Sequence, residues 1–142
     1  MENRYSELID GIELLDIYLG SAQFKRHAFP DPDVYPEVKA RFSRGKSSYK
    51  ACDGELCINQ EVSFLLEEVS EDRKKTRKMF DLKGIFTLVY HISGEMDDEV
   101  FELFKRRNIP LNLHPYAREL IQSMMQRAGL PSFVLPTFKI KR

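Results

Sequence analysis

The sequence predicts an α+β domain, with strands first and helices last. Three observations predict it. Up to about residue 90, apolar side chains recur at every second position, in four runs separated by turn signals. Beyond residue 97 the apolar period becomes that of a helix. Between the first two runs lies "AFPDPDVYPE", where Pro30, Pro32 and Pro36 exclude a helix and stiffen the backbone. That segment is too long and too stiff for a tight hairpin, so it reads as a crossover to a non-neighbouring strand. A chain of 142 residues suits one domain over positions 1–142.

The elements follow in order. A short amphipathic start, of about one helical turn, ends at Gly11. Residues 12–26 read as a long first strand. Leu15, Ile17 and Leu19 lie on one side of it; Leu14, Tyr18, Ala22 and Phe24 lie on the other. Apolar groups on both faces imply that both faces meet something. After the crossover, Val38, Ala40 and Phe42 alternate with Lys39, Arg41 and Ser43, as in a half-exposed second strand. Leu56, Ile58, Val62, Phe64 and Leu66 share the inner face of the third, with Gln60 as the polar exception.

Asp53-Gly54 is the turn signal between the second and third strands. A plain two-residue turn there pairs Phe42 with Leu65 and sets apolar residues beside Asn59 and Glu61. Register keeps apolar faces together, so an odd-length loop or a bulge near Gly45 is required. A charged turn around Glu71–Lys75 leads to the fourth strand. Phe80, Leu82, Phe86, Leu88 and Tyr90 share one face there, and Gly84 in the same row marks close approach of another backbone. "DDEVFELFKRRN" has acids in its first turn and bases in its last, matching a helix dipole. A second helix is announced by Pro115 in its first turn. It carries Tyr116, Leu120, Ile121, Met124, Met125 and Ala128 at helical spacing and stops at Gly129 and Pro131. The last stretch, "SFVLPTFKIKR", reads as extended, apolar and finally basic.

Composition excludes several classes. With 42% hydrophobic and 31% charged residues the chain is neither disordered nor membrane-spanning, and the polar start does not suit a secretory signal; a cytoplasmic protein is expected. Zero net charge argues against a generic nucleic-acid binder. The charge is blocky. Lys39, Arg41, Arg44, Lys46 and Lys50 fall together, Asp53–Asp72 holds seven acids and no Lys or Arg, and Arg73, Lys74, Lys75, Arg77 and Lys78 follow. Neighbouring strands carrying complementary charge explain this pattern. Cys52 and Cys57, with His27, His91 and His114 scattered, make no metal motif, and phosphate loops and nucleophile elbows are missing.

"LHPYARELIQSMMQRAGLP" places His114, Tyr116, Arg118 and Glu119 within six positions. A catalytic site needs them to converge, but on a helix Glu119 points away from the face shared by His114 and Arg118. Tyr116 therefore reads as a packed aromatic, Arg118 and Glu119 as ion-pairing groups, and His114 as part of the helix start. No enzyme is expected.

"NIPLNLHPYARELIQSMMQRAGLPSFVLP" resembles the signature region of the SecB protein-export chaperones, in which "PYARE" leads into a helix ending in arginine and glycine. "YPEVKARF" is similar to that family's second strand and "GIFTL" to its glycine-bearing fourth. The resemblance covers about residues 12–138. It implies a four-stranded antiparallel Greek-key sheet with the long helix packed on one face. It further implies edge-to-edge dimers that stack through the long helices into a homotetramer, a dimer of dimers. The function implied is that of an ATP-independent holdase without cofactors, binding unfolded polypeptides, preproteins or an antitoxin, in apolar grooves. The groove residues here would be Phe24, Phe29, Val34, Tyr35, Val38, Ala40, Phe42, Met124, Met125 and Phe133. The oligomer contacts would be Leu15, Ile17, Leu19, Tyr116, Leu120 and Met124.

Two departures from the family bear on partners. The chain ends at "FKIKR" rather than in a second helix and an acidic tail. Lys25, Arg77 and Met79 stand where the acidic patch that docks the translocase motor SecA is expected, so weak or absent SecA binding follows and a toxin–antitoxin role becomes the alternative within the class. The reading from a different class is a nucleic-acid-binding sheet that uses the Lys39–Lys50 run.

Overall fold

In the computed structural model, which describes residues 2–131, the order is α1 (Glu2–Asp10), β1 (Glu13–Arg26), β2 (Glu37–Cys52), β3 (Glu55–Val69), β4 (Thr76–His91), α2 (Asp98–Arg107) and α3 (Ile109–Arg127). The strands form one antiparallel sheet in the order β1-β4-β3-β2. The crossover therefore passes two strands before β2 begins, as in a Greek key. Among the described residues the helices cover one face of the sheet and the opposite face is open. The core lies between them. Ile58, Phe64, Phe80, Leu82, Leu88 and Tyr90 come from the sheet, and Phe104, Ile109, Leu113, Ile121 and Met125 from the helices.

The β2–β3 register is set as the parity argument requires. Asp53 and Gly54 have φ of 50° and 80°, the left-handed pair that a two-residue hairpin turn needs. A bulge between Arg44 and Ser47 then moves Phe42 opposite Phe64 instead of Leu65. Gln60, 1% exposed within an otherwise apolar row, holds that bulge. Its amide nitrogen donates to the carbonyls of Gly45 at 3.2 Å and Glu61 at 2.9 Å. The polar exception is thus explained, because the bulge frees backbone carbonyls that a buried amide must satisfy.

Strand β1 differs from expectation. It carries two bulges, between Leu14 and Asp16 and between Leu19 and Ser21. Each inserts one residue and reverses the parity of everything after it. Leu14, Ile17, Leu19, Ala22 and Phe24 therefore pair with the core-facing row of β4, while Asp16, Tyr18, Ser21, Gln23 and Lys25 face the other way. The strand has one apolar face, not two. Gly84 behaves as its row implied: a Cβ there would lie 3.2 Å from the Ser21 carbonyl oxygen.

Helix α2 is capped by Asp97, whose side chain accepts from the Val100 amide, and its end charges match the dipole. Helix α3 begins at Ile109, earlier than Pro115 suggested, with Pro110 in the first turn and Pro115 inside the helix. Asn108 keeps helical angles between the two helices, so α3 starts as soon as α2 stops. The bond lost at Pro115 is the one to the Leu111 carbonyl. Both residues are exposed, so water can take its place. Gly129 (φ 73°) ends α3. Its amide bonds to Gln126, and the Leu130 amide bonds to Met125, the paired bonds of a Schellman cap. The blocky charges do complement each other across strands: Glu67 pairs in register with Lys39 and Lys78, and Arg73 lies 3.1 Å from Glu37.

Candidate functional site

Among the described residues an apolar strip is exposed at the crossover end of the helix-bearing face. Val38 is 60% exposed although it belongs to the core-facing row of β2, and Ala40 beside it is exposed too. The crossover adds Phe29 (70%) and Val34 (53%). The strip opens into a cavity of about 90 Å³ lined chiefly by Pro30, Val38, Leu66, Met79, Met125 and Leu130. Phe42 closes the strip towards the helix, edge-on to His114 with ring centroids 5.8 Å apart.

The crossover is pinned along its length. The His27 amide donates to the Met79 carbonyl at 2.8 Å. Arg26 donates to the Ala128 carbonyl at the end of α3, 2.8 Å away, and its guanidinium sits 4.0 Å over the Phe29 ring. Glu68, buried at the end of β3, accepts from the Asp31 amide at 3.1 Å and from Arg77 at 2.5 Å. Arg77 also donates to the Phe29 carbonyl at 2.7 Å and covers the Tyr35 ring at 4.5 Å. One ion pair thus holds both ends of the segment that presents Phe29 and Val34. Sequence reasoning did not place Glu68, Met79, Leu130 or Arg26 at the groove. The available signal was an acid, Glu68, in the apolar register that contains Phe64 and Leu66.

The residues expected to form the groove are only partly gathered. Phe29, Val34, Val38 and Ala40 share the strip, and Tyr35 lies half-buried beneath Arg77. Phe24 occupies the same cross-strand row as Phe42 but on β1, the far edge of the sheet, with its ring centroid 5.9 Å from that of Phe80. Met125 is 1% exposed and contributes only to the cavity floor, on the side of α3 that packs with Leu113, Ala117 and Ile121 into the core; Met124 is half-buried beside it. Phe133 lies outside the described residues.

Among the expected oligomer contacts, Leu15 (45%) and Leu19 (39%) are exposed on β1, whose outer edge has no partner strand among the described residues, and Ile17 is half-buried. Tyr116 is 45% exposed rather than packed, whereas Leu120 is buried in the protomer's own core. His114 is buried against Phe42 inside α3, not at its start, so the four polar residues of that stretch do not converge. Among the described residues no group of three His, Cys, Asp or Glu is placed to hold a metal ion, and no helix is long and apolar enough to cross a membrane.

Two charge expectations are corrected. Of the three positions aligned with an acidic patch, Lys25 alone is on the open face. Arg77 is committed to Glu68, and Met79 is 2% exposed, because a bulge between Leu66 and Glu67 sends it into the core. The Lys39–Lys50 run is not one stripe either. Lys39 and Arg41 face the open side, Arg44 pairs with Val62 in the core-facing row, and Lys46 sits in the bulge.

No protein-family model matches the chain, and no curated protein matches it. Solved structures do. A SecB-like chaperone of Mycobacterium tuberculosis, in complex with a ChAD peptide from the HigA1 antitoxin, superposes with a TM-score of 0.80 at 16% identity, covering 98% of this chain and 99% of that one. A protein of unknown function from Streptococcus agalactiae gives 0.50 at 14% identity, covering 88% and 96%. The strand order, the crossover and the helices on one face thus make up, over nearly the whole chain, the fold of a SecB-like chaperone.

Proposed function

We propose that the protein is an ATP-independent holdase that binds extended, apolar polypeptide segments along the strip formed by Phe29, Val34 and Val38. The exposure of these three side chains beside an apolar cavity carries the reading. Large apolar groups exposed together on a soluble domain mark a binding surface. Met79 and Met125 in the cavity wall adapt to varied side chains. The similarity to a SecB-like chaperone solved with an antitoxin peptide supports a polypeptide as occupant, either an antitoxin or a preprotein. The same reading takes the unpaired β1 edge and the exposed Tyr116 on α3 as contacts of a dimer of dimers. It gives SecA little to dock on, since Lys25 occupies the open face.

The test is suppression of aggregation of a reduced, unfolded client without nucleotide. Phe29→Ala with Val38→Ala removes contacts but no core packing. It should weaken protection severalfold while leaving the melting temperature near that of the parent, since surface changes of this kind fall within about 0.5 kcal/mol. Undiminished protection by that variant would place the client elsewhere.

A further inference from the structure

The open face of the sheet divides by charge. At the crossover end it presents Lys25, Lys39, Arg41, Lys78 and Lys83, all exposed, against Asp81 and Glu67. Asp81 is already engaged by His27, and Glu67 stands between Lys39 and Lys78 in register. Among the described residues none of the five cations takes part in an ion pair. At the other end the face carries Glu13, Asp16, Glu55 and Glu61 with Lys50. The basic half also has shape. A depression of about 320 Å³ is bordered by Arg41, Lys78 and Lys83 against the one acid Asp81, which His27 engages, with the Ser43 and Ser63 hydroxyls 2.7 Å from each other within it.

We infer that the basic half of the open face docks an acidic segment of a partner polypeptide, whose carboxylates enter the depression between Arg41, Lys78 and Lys83. The geometry suits carboxylates. Arg41 offers a planar fork and the two lysines offer mobile point charges. The serine hydroxyls can donate to any oxygen that remains. Lys25 and Arg41 lie in one cross-strand row, three strand spacings or about 14 Å apart, so an extended chain can lie across the sheet and meet both. A nucleic acid fits less well. Single-strand binders need aromatic platforms, and among the described residues the basic half has none; Tyr18 lies in the acidic half. This surface is on the opposite side of the sheet from the apolar strip and does not depend on the holdase reading.

The test uses the full chain and a fluorescein-labelled peptide of alternating glutamate and glycine, followed by fluorescence anisotropy. Binding should be measurable at low ionic strength and fade with added salt. Arg41→Glu with Lys83→Glu should weaken it by at least about tenfold, because reversed charges repel the ligand they attracted. If that variant does not fold, Arg41→Gln with Lys83→Gln replaces exposed charges by neutral groups and should still lower affinity severalfold, with client protection as in the parent. No binding at low salt, or binding indifferent to these substitutions, overturns the proposal. So does tighter binding of a single-stranded oligonucleotide of equal charge. A parent assembly that becomes smaller on charge reversal would assign the face to a second copy of this chain and would overturn it equally.

Discussion

Glu68→Gln tests the pinning of the crossover. The Glu68 side chain is 4% exposed and that of Arg77 33%. The substitution keeps shape and volume and leaves an oxygen that can accept from the Asp31 amide. It removes the charge-assisted bond from Arg77, worth about 1.5–3 kcal/mol in a typical buried setting. Breaking a fully buried pair costs about 3–5 kcal/mol, but a third of Arg77 is exposed and can turn towards water, so the lower range applies. An expected loss of about 2 kcal/mol corresponds to about 4–8 °C in a chain of this size. Urea and thermal unfolding followed by far-UV circular dichroism give the equilibrium cost at one fixed protein concentration. Hydrogen exchange at Asp31 gives the local cost, and that amide should exchange faster. A double-mutant cycle with Arg77→Met isolates the pair, and a coupling of at least about 1 kcal/mol is expected. A loss below about 0.5 kcal/mol, or additive effects of the two substitutions, would refute the claim that this pair holds the crossover.

Gln60→Leu should cost about 0.5–1.5 kcal/mol, since it removes the bonds from the buried amide to the Gly45 and Glu61 carbonyls at the β2 bulge; unchanged urea unfolding would show that the bulge stands without it. Tyr90→Phe carries a pH signature. Burial pushes the Tyr90 hydroxyl well above the ordinary tyrosine range. A raised folded value means stability that is complete below the unfolded pKa of about 10 and is lost as pH rises beyond it. The variant should lose about 1 kcal/mol at neutral pH with the bond to Asn112, yet fall less steeply above pH 10, by up to about 1.4 kcal/mol per unit; parallel profiles for the two proteins would contradict this. Tyr116→Asp and Leu15→Asp should each reduce the size of the assembly in light scattering without unfolding the protomer, because both side chains are exposed in it. A parent that is already a stable monomer at micromolar concentration ends the assembly reading.

Much of the fold was readable because alternation is a local property. The core rows of β3 and β4, the bulge near Gly45 and the cap at Gly129 all followed from parity or from turn chemistry. Strand β1 was misread for the same reason. Its two bulges shift parity within a single strand, and only pairing with β4 reveals them; Gly20 beside the second shift was the one available sign. The start of α3 was misplaced because Pro115 reads as a helix opener, and nothing local says that the bond it removes faces water. The candidate site was half readable. Phe29, Val34 and Val38 stand out as apolar residues near prolines. Whether a methionine in α3 faces the groove or the core depends on helix rotation, and periodicity does not separate Met124 from Met125.

The uncovered strip has a geometric origin. Four strands span three spacings, about 14 Å between the outer strand axes, and their side chains extend farther, whereas one helix is about 10–12 Å wide. Towards the β2–β3 hairpin, α1 and α2 lie side by side on the sheet, and the outer strands are sheltered: Leu14 and Ile17 on β1 and Tyr49 on β2 are half-buried, with the Tyr49 ring 4.4 Å from that of Phe101. Towards the crossover, α3 is the one helix among the described residues, with Met125 at the cavity, and side chains at both margins are exposed: Ala22 and Phe24 on β1, Val38 and Ala40 on β2. The two margins are not equivalent. The outer edge of β1 exposes Leu15 within its first bulge, between Leu14 and Asp16, and an exposed leucine on an unpaired edge invites another strand. The outer strand on the other side, β2, carries Arg44 and Lys46 about its bulge, and charges at such an edge discourage permanent pairing. On the holdase proposed above, a permanent partner would therefore be expected at β1 and a transient one at β2.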